Sequence, residues 1–229
     1  MNIGGWQKVS LIDYPEKICS ILFTQGCNFR CPYCHNPELV EPALFREPLP
    51  EEEIFAFLEK RKGKIDAVSI TGGEPTIQPD LVEFVQSVKE IGYLIKLDTN
   101  GSRPDVLGKL IKEKLLDYVA MDIKAPLNRY PNVARCPIDP DKILESIKMI
   151  TGSDTAYEFR TTVVKCLLTV SDLQKIAALI KDARLYVLQR FVSSKCLEKK
   201  FLDEPTYSNG DFEALKERLQ EDVQCIVVR

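Results

Sequence analysis

Cys27, Cys31 and Cys34 lie within eight residues of one another in CNFRCPYCHN (27–36), and clustered thiols are the group in this chain most able to do chemistry. Four chemistries use such a pattern. Cys31-Pro32-Tyr33-Cys34 has the spacing of a glutaredoxin-type dithiol, and Cys31-x-x-Cys34-His35 that of covalent c-type haem attachment. Cys27, Cys31, Cys34 and His35 together offer zinc three sulfurs and a nitrogen. Cys27-x3-Cys31-x2-Cys34 alone offers an iron–sulfur cluster three thiolates.

The rest of the chain weighs against the first three. A dithiol site wants a helix starting at its first cysteine; Pro37 and Pro42 would interrupt it, and Cys27 would have no task. Haem attachment also leaves Cys27 over and belongs outside the cytoplasm. Zinc would need the adjacent Cys34 and His35 to turn onto one ion, whereas structural zinc sites draw on two separated pairs. A cubane cluster normally takes four cysteines, so three leave one iron open to a ligand from outside the chain. His35, the one histidine, suits an ordinary loop or core position equally well.

Composition sets the frame for that chemistry. The 229 residues fit one domain, 1–229, with a cluster loop at 24–37 and a tail at 193–229 that completes or covers the fold. A net charge of −3 gives no footprint for DNA or RNA, and no apolar run is long enough to cross a membrane. The opening MNIGGWQKVSLIDYPEKI lacks the basic and apolar blocks of an export signal, so a cytoplasmic protein is expected. In a reducing compartment eight cysteines point to a metal or redox site rather than disulfides; Cys19, Cys136, Cys166, Cys196 and Cys225, scattered singly, read as buried or loop side chains.

The elements that must position the thiols alternate. Strands are predicted at 18–23, 64–70, 93–98, 117–124, 156–164 and 183–192, with a last one in QCIVVR. Helices are predicted at 51–62, 79–92, 104–116, 139–151, 171–183 (with Ser171 as its cap) and 211–223. Six strand–helix units imply a parallel sheet, either an incomplete (β/α)6 barrel of the TIM type, which is the reading adopted, or an open doubly wound sheet. The cysteine loop, Gly72-Gly73-Glu74, Asp98-Thr99-Asn100-Gly101 and Asp122/Lys124 each follow a strand. In a parallel sheet those strand ends share one rim, where ligands bind. The Pro-rich stretch Ala125–Pro140 is longer than a usual connection and is expected to serve as a contact loop.

Cys27-x3-Cys31-x2-Cys34 with Tyr33 before the last cysteine resembles the signature of radical S-adenosylmethionine (SAM) enzymes. The likeness continues through Gly72-Gly73-Glu74-Pro75, Asp98-Thr99-Asn100-Gly101 and Met121-Asp122-Ile123-Lys124, over about the first two-thirds of the chain. The opening through CHN is similar to activating enzymes of anaerobic (class III) ribonucleotide reductase and, with Asp13, to pyruvate formate-lyase activating enzymes. The resemblance implies a [4Fe–4S] cluster on the three cysteines, with SAM on the open iron. It further implies Gly72, Gly73 and Glu74 at the methionine amino group, Tyr33 by the adenine, and Asn100, Lys124 and Arg160 among the cofactor contacts. Asp98, Thr99 and Asp122 would hold a monovalent cation, with Lys124 another candidate partner for the two carboxylates. Asp13 would bind the backbone of a substrate peptide. The implied partners are a glycyl radical enzyme, foremost anaerobic ribonucleotide reductase, and a low-potential electron donor such as flavodoxin or ferredoxin. One departure stands out: where pyruvate formate-lyase activators have a histidine at the end of strand six, this chain aligns Val192, with Gln189 or Arg190 as substitutes.

Overall fold

Strands with apolar residues in both phases need cover on both faces, and the helices between them supply it on one. The computed structural model, which describes residues 1–229, has eight strands in one sheet. They run β1 (Ile3–Ser10), β2 (Cys19–Thr24), β3 (Ala67–Gly72), β4 (Leu94–Thr99), β5 (Tyr118–Asp122), β6 (Ala156–Val163), β7 (Tyr186–Arg190) and β8 (Ile226–Val228), and they lie side by side in that order. From β2 onward every pairing is parallel, whereas β1 pairs antiparallel with β2. β1 and β8 do not pair, so the barrel is incomplete and has two edges. The sequence reading contains the six parallel units and the last strand but not β1, whose glycine-rich IGGWQKVS becomes a strand only by pairing with β2.

Seven helices follow: α1 (Glu51–Arg61), α2 (Leu81–Ile91), α3 (Pro104–Lys112), α4 (Tyr130–Ala134), α5 (Pro140–Thr151), α6 (Val170–Leu179) and α7 (Asn209–Leu219). α2 shows why they dock. Leu81, Phe84, Val85, Val88 and Ile91 form one buried stripe, and Gly92 ends the helix at φ 109°, a left-handed conformation suited to glycine. α3 is shorter than predicted because Lys114 turns the chain at φ 55°, which drops Leu115 and Leu116 into the core as a connection. The long 125–140 stretch holds α4, and Arg30 of the cysteine loop donates its backbone N–H to Ala134 O at 2.7 Å.

The cap of α6 is Thr169, two residues before the predicted Ser171. Thr169 Oγ1 accepts from Asp172 N at 3.2 Å while the Asp172 carboxylate accepts from Thr169 N at 2.9 Å. That carboxylate also pairs with Arg129, which favours the earlier start. Thr169→Ala is expected to cost about 1 kcal/mol. A thermal melt would then show the midpoint about 2–4 °C lower.

One face of the sheet packs on the helices through Leu22, Val68, Ile70, Ile95, Leu97, Val119 and Met121. The other face encloses a smaller apolar floor of Tyr14, Cys19, Ile21, Ala67, Tyr118 and Ala120. Above that floor the inward phase turns polar, with Lys96 and Asp98 on β4, Asp122 on β5 and Glu158 and Arg160 on β6. No helix is long and apolar enough to cross a membrane.

Candidate functional site

The strand ends surround a cavity of about 340 Å³. Cys27, Cys31 and Cys34 line it from the loop after β2, Gly72 and Gly73 from β3, Asp98, Thr99 and Asn100 from β4, Asp122 and Lys124 from β5, and Arg160 from β6. Tyr33 lines it too, and Asp13 reaches it from the segment after β1. All but one of the residues expected at the cluster, the cofactor, the cation or the peptide therefore meet at one place.

The exception is Glu74. Its carboxylate is 1 % exposed and turned away from the cavity, where it accepts from Thr76 N at 3.1 Å, Thr99 Oγ1 at 2.7 Å and Asn100 N at 2.6 Å, and from the Thr76 hydroxyl. It ties the glycine turn to the Asp98–Gly101 turn. The glycine backbone itself faces the cavity.

That backbone is held tightly. Gly73 N donates to Thr24 O and Glu74 N to Gly26 O, both at 2.8 Å, which locks the turn against the start of the cysteine loop. A Cβ at Gly73 would sit 2.0 Å from Gly26 O, and one at Gly72, where φ is 115°, 2.4 Å from Thr24 N. Only glycines allow this approach. Gly73→Ala is expected to cost about 3 kcal/mol through forced backbone displacement. Differential scanning calorimetry should show the midpoint falling by about 5–10 °C.

The thiols are buried or half-buried, and burial pushes Cys27 up to about 12 and Cys31 up to about 11. Such groups stay protonated in water and give up the proton to a metal. All three line the cavity. His35 is occupied elsewhere. Its Nε2 donates to Val192 O at 2.7 Å and its ring lies over Phe191. Glu198 N donates to Pro32 O at 2.9 Å and Lys195 pairs with Glu38 at 2.6 Å, so the stretch after β7 straps the cysteine loop. Tyr33 is buried beside Lys124 and Asp122, and its hydroxyl has no partner in the chain. A buried unpartnered hydroxyl at a cavity wall fits a site made for a polar ligand.

Asp98 and Asp122 are paired by side chains of the protein. Arg160 stands between them, Nη1 donating to Asp98 Oδ2 at 3.0 Å and Nε to Asp122 Oδ1 at 2.7 Å. Lys124 donates to Asp122 Oδ2 at 3.0 Å and Lys96 to Asp98 Oδ1 at 2.5 Å. Burial by itself raises both carboxyls; Arg160, with Lys96 and Lys124, reverses that and holds both below the ordinary range. Thr99 gives its hydroxyl to Glu74. Of the three residues expected to hold a monovalent cation, the two carboxylates thus have Arg160 between them.

Of the substitutes for the strand-end histidine, Gln189 lines the cavity beside Thr162, whereas Arg190 lies over Phe212 on the outer side and Val192 is exposed. Sequence reasoning missed Lys96, Thr71, Thr162 and Asn28. Asn28 donates to Ser102 Oγ at 2.7 Å and accepts from Asn100 at 2.9 Å, so it anchors the cysteine loop to the turn after β4. For Lys96 there was a signal: it lies two residues before Asp98 on a strand apolar in its other phase, and so must face inward with it.

The sequence profile of the radical SAM superfamily matches residues 21–180, which span the thiols, the glycine turn and the charged strand ends. The chain belongs to the radical SAM superfamily. A [4Fe–4S] cluster and SAM are therefore the cofactors the family implies, and the thiols, the glycine backbone and the Tyr33 hydroxyl fit them. A candidate glycyl-radical enzyme activating enzyme of Methanocaldococcus jannaschii is 34 % identical over 232 residues, covering 99 % of this chain and 95 % of that protein. A pyruvate formate-lyase-activating enzyme of Clostridium pasteurianum is 34 % identical over 128 residues, 54 % of this chain and 52 % of that one. Among solved structures, a domain of a pyruvate-formate lyase-activating enzyme from Bacteroides vulgatus superposes with a TM-score of 0.57 at 16 % identity, covering 72 % of this chain and 99 % of the domain. At that identity the likeness speaks for the fold. This radical SAM chain is related to the activating enzymes of glycyl radical enzymes.

Proposed function

We propose that this radical SAM enzyme activates a glycyl radical enzyme, and that its partner is an anaerobic ribonucleoside-triphosphate reductase. The observation that carries the reading is a single cavity walled by three thiols, the Gly72-Gly73 backbone and Asp13. A cofactor at the thiols and a peptide at Asp13 would meet inside the barrel, which is open between β1 and β8.

In this reading Cys27, Cys31 and Cys34 would hold the cluster, and the backbone of Gly72 and Gly73 would accept from the amino group of SAM. Tyr33 flanks the adenine, Asn100 and Lys124 border the cofactor, and Arg160 keeps Asp98 and Asp122 ionised and in place. Glu74 acts through the turn it holds. When bound, the cluster passes one electron from a ferredoxin- or flavodoxin-like donor to SAM, which yields methionine and a 5′-deoxyadenosyl radical able to take a hydrogen atom from glycine Cα. The protein holds the reactants close and keeps water from them. The partner is left with a glycyl radical, and 5′-deoxyadenosine is released.

The reductase is preferred to pyruvate formate-lyase because the opening sequence resembles reductase activators more closely and because Gln189, not histidine, borders the cavity at the end of β7. The test is anaerobic mixing of reconstituted protein, dithionite, SAM and the reductase of the same organism. Electron paramagnetic resonance should then show a doublet from the one α-hydrogen left on glycine. Deoxyadenosine release with no glycyl signal on the reductase would reassign the substrate; no release at all would contradict the activity.

A further inference from the structure

Lys96 and Glu158 are the charges of the barrel interior that neither line the cavity nor belong to any motif in the sequence, and of the two only Lys96 bonds to carboxylates that line it. It is 1 % exposed, in the middle of β4, below the cavity wall. Its ammonium group donates to Asp98 Oδ1 at 2.5 Å and to Asp13 Oδ2 at 3.2 Å. Desolvation of an ammonium this deep costs several kcal/mol unless it is paired, and here both partners are carboxylates of the cavity. Asp98 continues to Arg160, Arg160 to Asp122 and Asp122 to Lys124. Three acids and three bases thus alternate without interruption from the segment after β1 to the rim beside Tyr33.

The two ends of the Lys96 contact face different things. Asp98 belongs to the cofactor side of the cavity, with Thr71 Oγ1 donating to its Oδ2 at 3.2 Å. Asp13 belongs to a different element, in a segment whose preceding residues Leu11 and Ile12 are 72 % and 93 % exposed. Lys96 takes Asp13 Oδ2, and Asp13 Oδ1 makes no hydrogen bond within the chain while the residue lines the cavity. A carboxylate with one oxygen fixed and the other free is an oriented acceptor for a backbone N–H. Without Lys96 the same side chain, on a loop, would sample several rotamers.

We propose that Lys96 is a positioning residue for the substrate peptide. It fixes Asp13 so that Oδ1 accepts a backbone N–H of an extended, glycine-bearing segment, and it ties that contact to Asp98, so that peptide and cofactor are held in register. The inference rests on the activase reading above and adds to it the residue that aligns the two ligands. Hydrogen transfer is sensitive to such alignment, since a displacement near 1 Å costs about 100-fold.

The experiment uses the whole reconstituted protein and a nine-residue peptide spanning the reductase glycine, deuterated at Cα. Two quantities are read: KM for the peptide, and the fraction of released 5′-deoxyadenosine that carries deuterium. Lys96→Met and Lys96→Gln are expected to raise KM about 10-fold, the factor for one lost oriented contact, and to lower the deuterated fraction. Asp13→Asn should do the same. The double variant should be no worse than either single one within about twofold, because both act on one contact. Lys96→Arg, which keeps the charge, should recover part of the deuterated fraction. Wild-type KM and deuterated fraction in a folded Lys96 variant, or losses that multiply in the double variant, would overturn the proposal. Wild-type protein that releases no deoxyadenosine contradicts the parent reading instead, so the two failures are distinct.

Discussion

Replacing Cys31 with alanine is expected to abolish both the bound cluster and the cleavage of SAM, with bound iron falling to about a tenth or less after anaerobic reconstitution. Ligand binding supplies most of the free energy that holds a metal centre, and two thiols cannot keep a cubane that already lacks a fourth cysteine. The fold should survive. The cysteine loop is pinned independently of its sulfurs by Gly26 N to Leu39 O at 2.8 Å, by Arg30 N to Ala134 O at 2.7 Å and by Asn28. Loss of one small buried side chain costs about 1–2 kcal/mol. Cys19→Ala is the matching control: this thiol is also buried, but it lies in the barrel floor, and the variant should keep full iron content and activity. Iron and sulfide analysis, with chromatographic assay of 5′-deoxyadenosine, reads both variants. Full iron content in Cys31→Ala would remove that residue from the ligand set.

Arg160→Met should be the most destabilising change in the barrel interior, by about 3–5 kcal/mol, the usual cost of leaving buried charges uncompensated. Arg160 contributes to both Asp98 and Asp122 and is itself only 11 % exposed along its side chain. Its loss leaves two cavity carboxylates with one lysine each, and their mutual repulsion is no longer opposed from between. SAM affinity should fall with stability, and denaturant titration beside equilibrium dialysis of SAM would measure both. The same network sets the acid limit of the fold. Burial acts to raise the Asp98 and Asp122 carboxyls, but their cationic partners hold the folded values below the unfolded ones. Their contribution is therefore complete above the unfolded value of about 4 and is lost as pH falls through the lower folded values. Asp122→Asn should flatten the stability–pH slope below about pH 4. An unchanged slope would show that these carboxyls do not set it.

How much of this was legible beforehand depended on whether a signal was local. The parallel units were, because Leu81, Phe84, Val85 and Val88 announce a helix and runs such as AVSI a buried strand whatever the partner. β1 was not, since Gly4 and Gly5 suppress its pattern and only β2 makes it a strand. The thiols, the glycine turn and the charged strand ends were found as types at spacings. Their hydrogen bonds were not: nothing in Gly-Gly-Glu says that the carboxylate will turn back to Thr99 and Asn100. Arg160 was expected only through the resemblance, and what sets it between two carboxylates is register, with Arg160 opposite Asp122 on the neighbouring strand. Lys96 was passed over because a lysine in a strand ordinarily reaches water.

The account rests on an iron that the chain leaves incompletely ligated and that SAM completes. Electron–nuclear double resonance of the reduced protein, recorded with and without SAM carrying 17O in its carboxylate, tests this directly. The account predicts a cluster signal that changes shape when SAM is added and shows coupling to the labelled oxygen. A cluster signal indifferent to SAM, or zinc in place of iron, would contradict it.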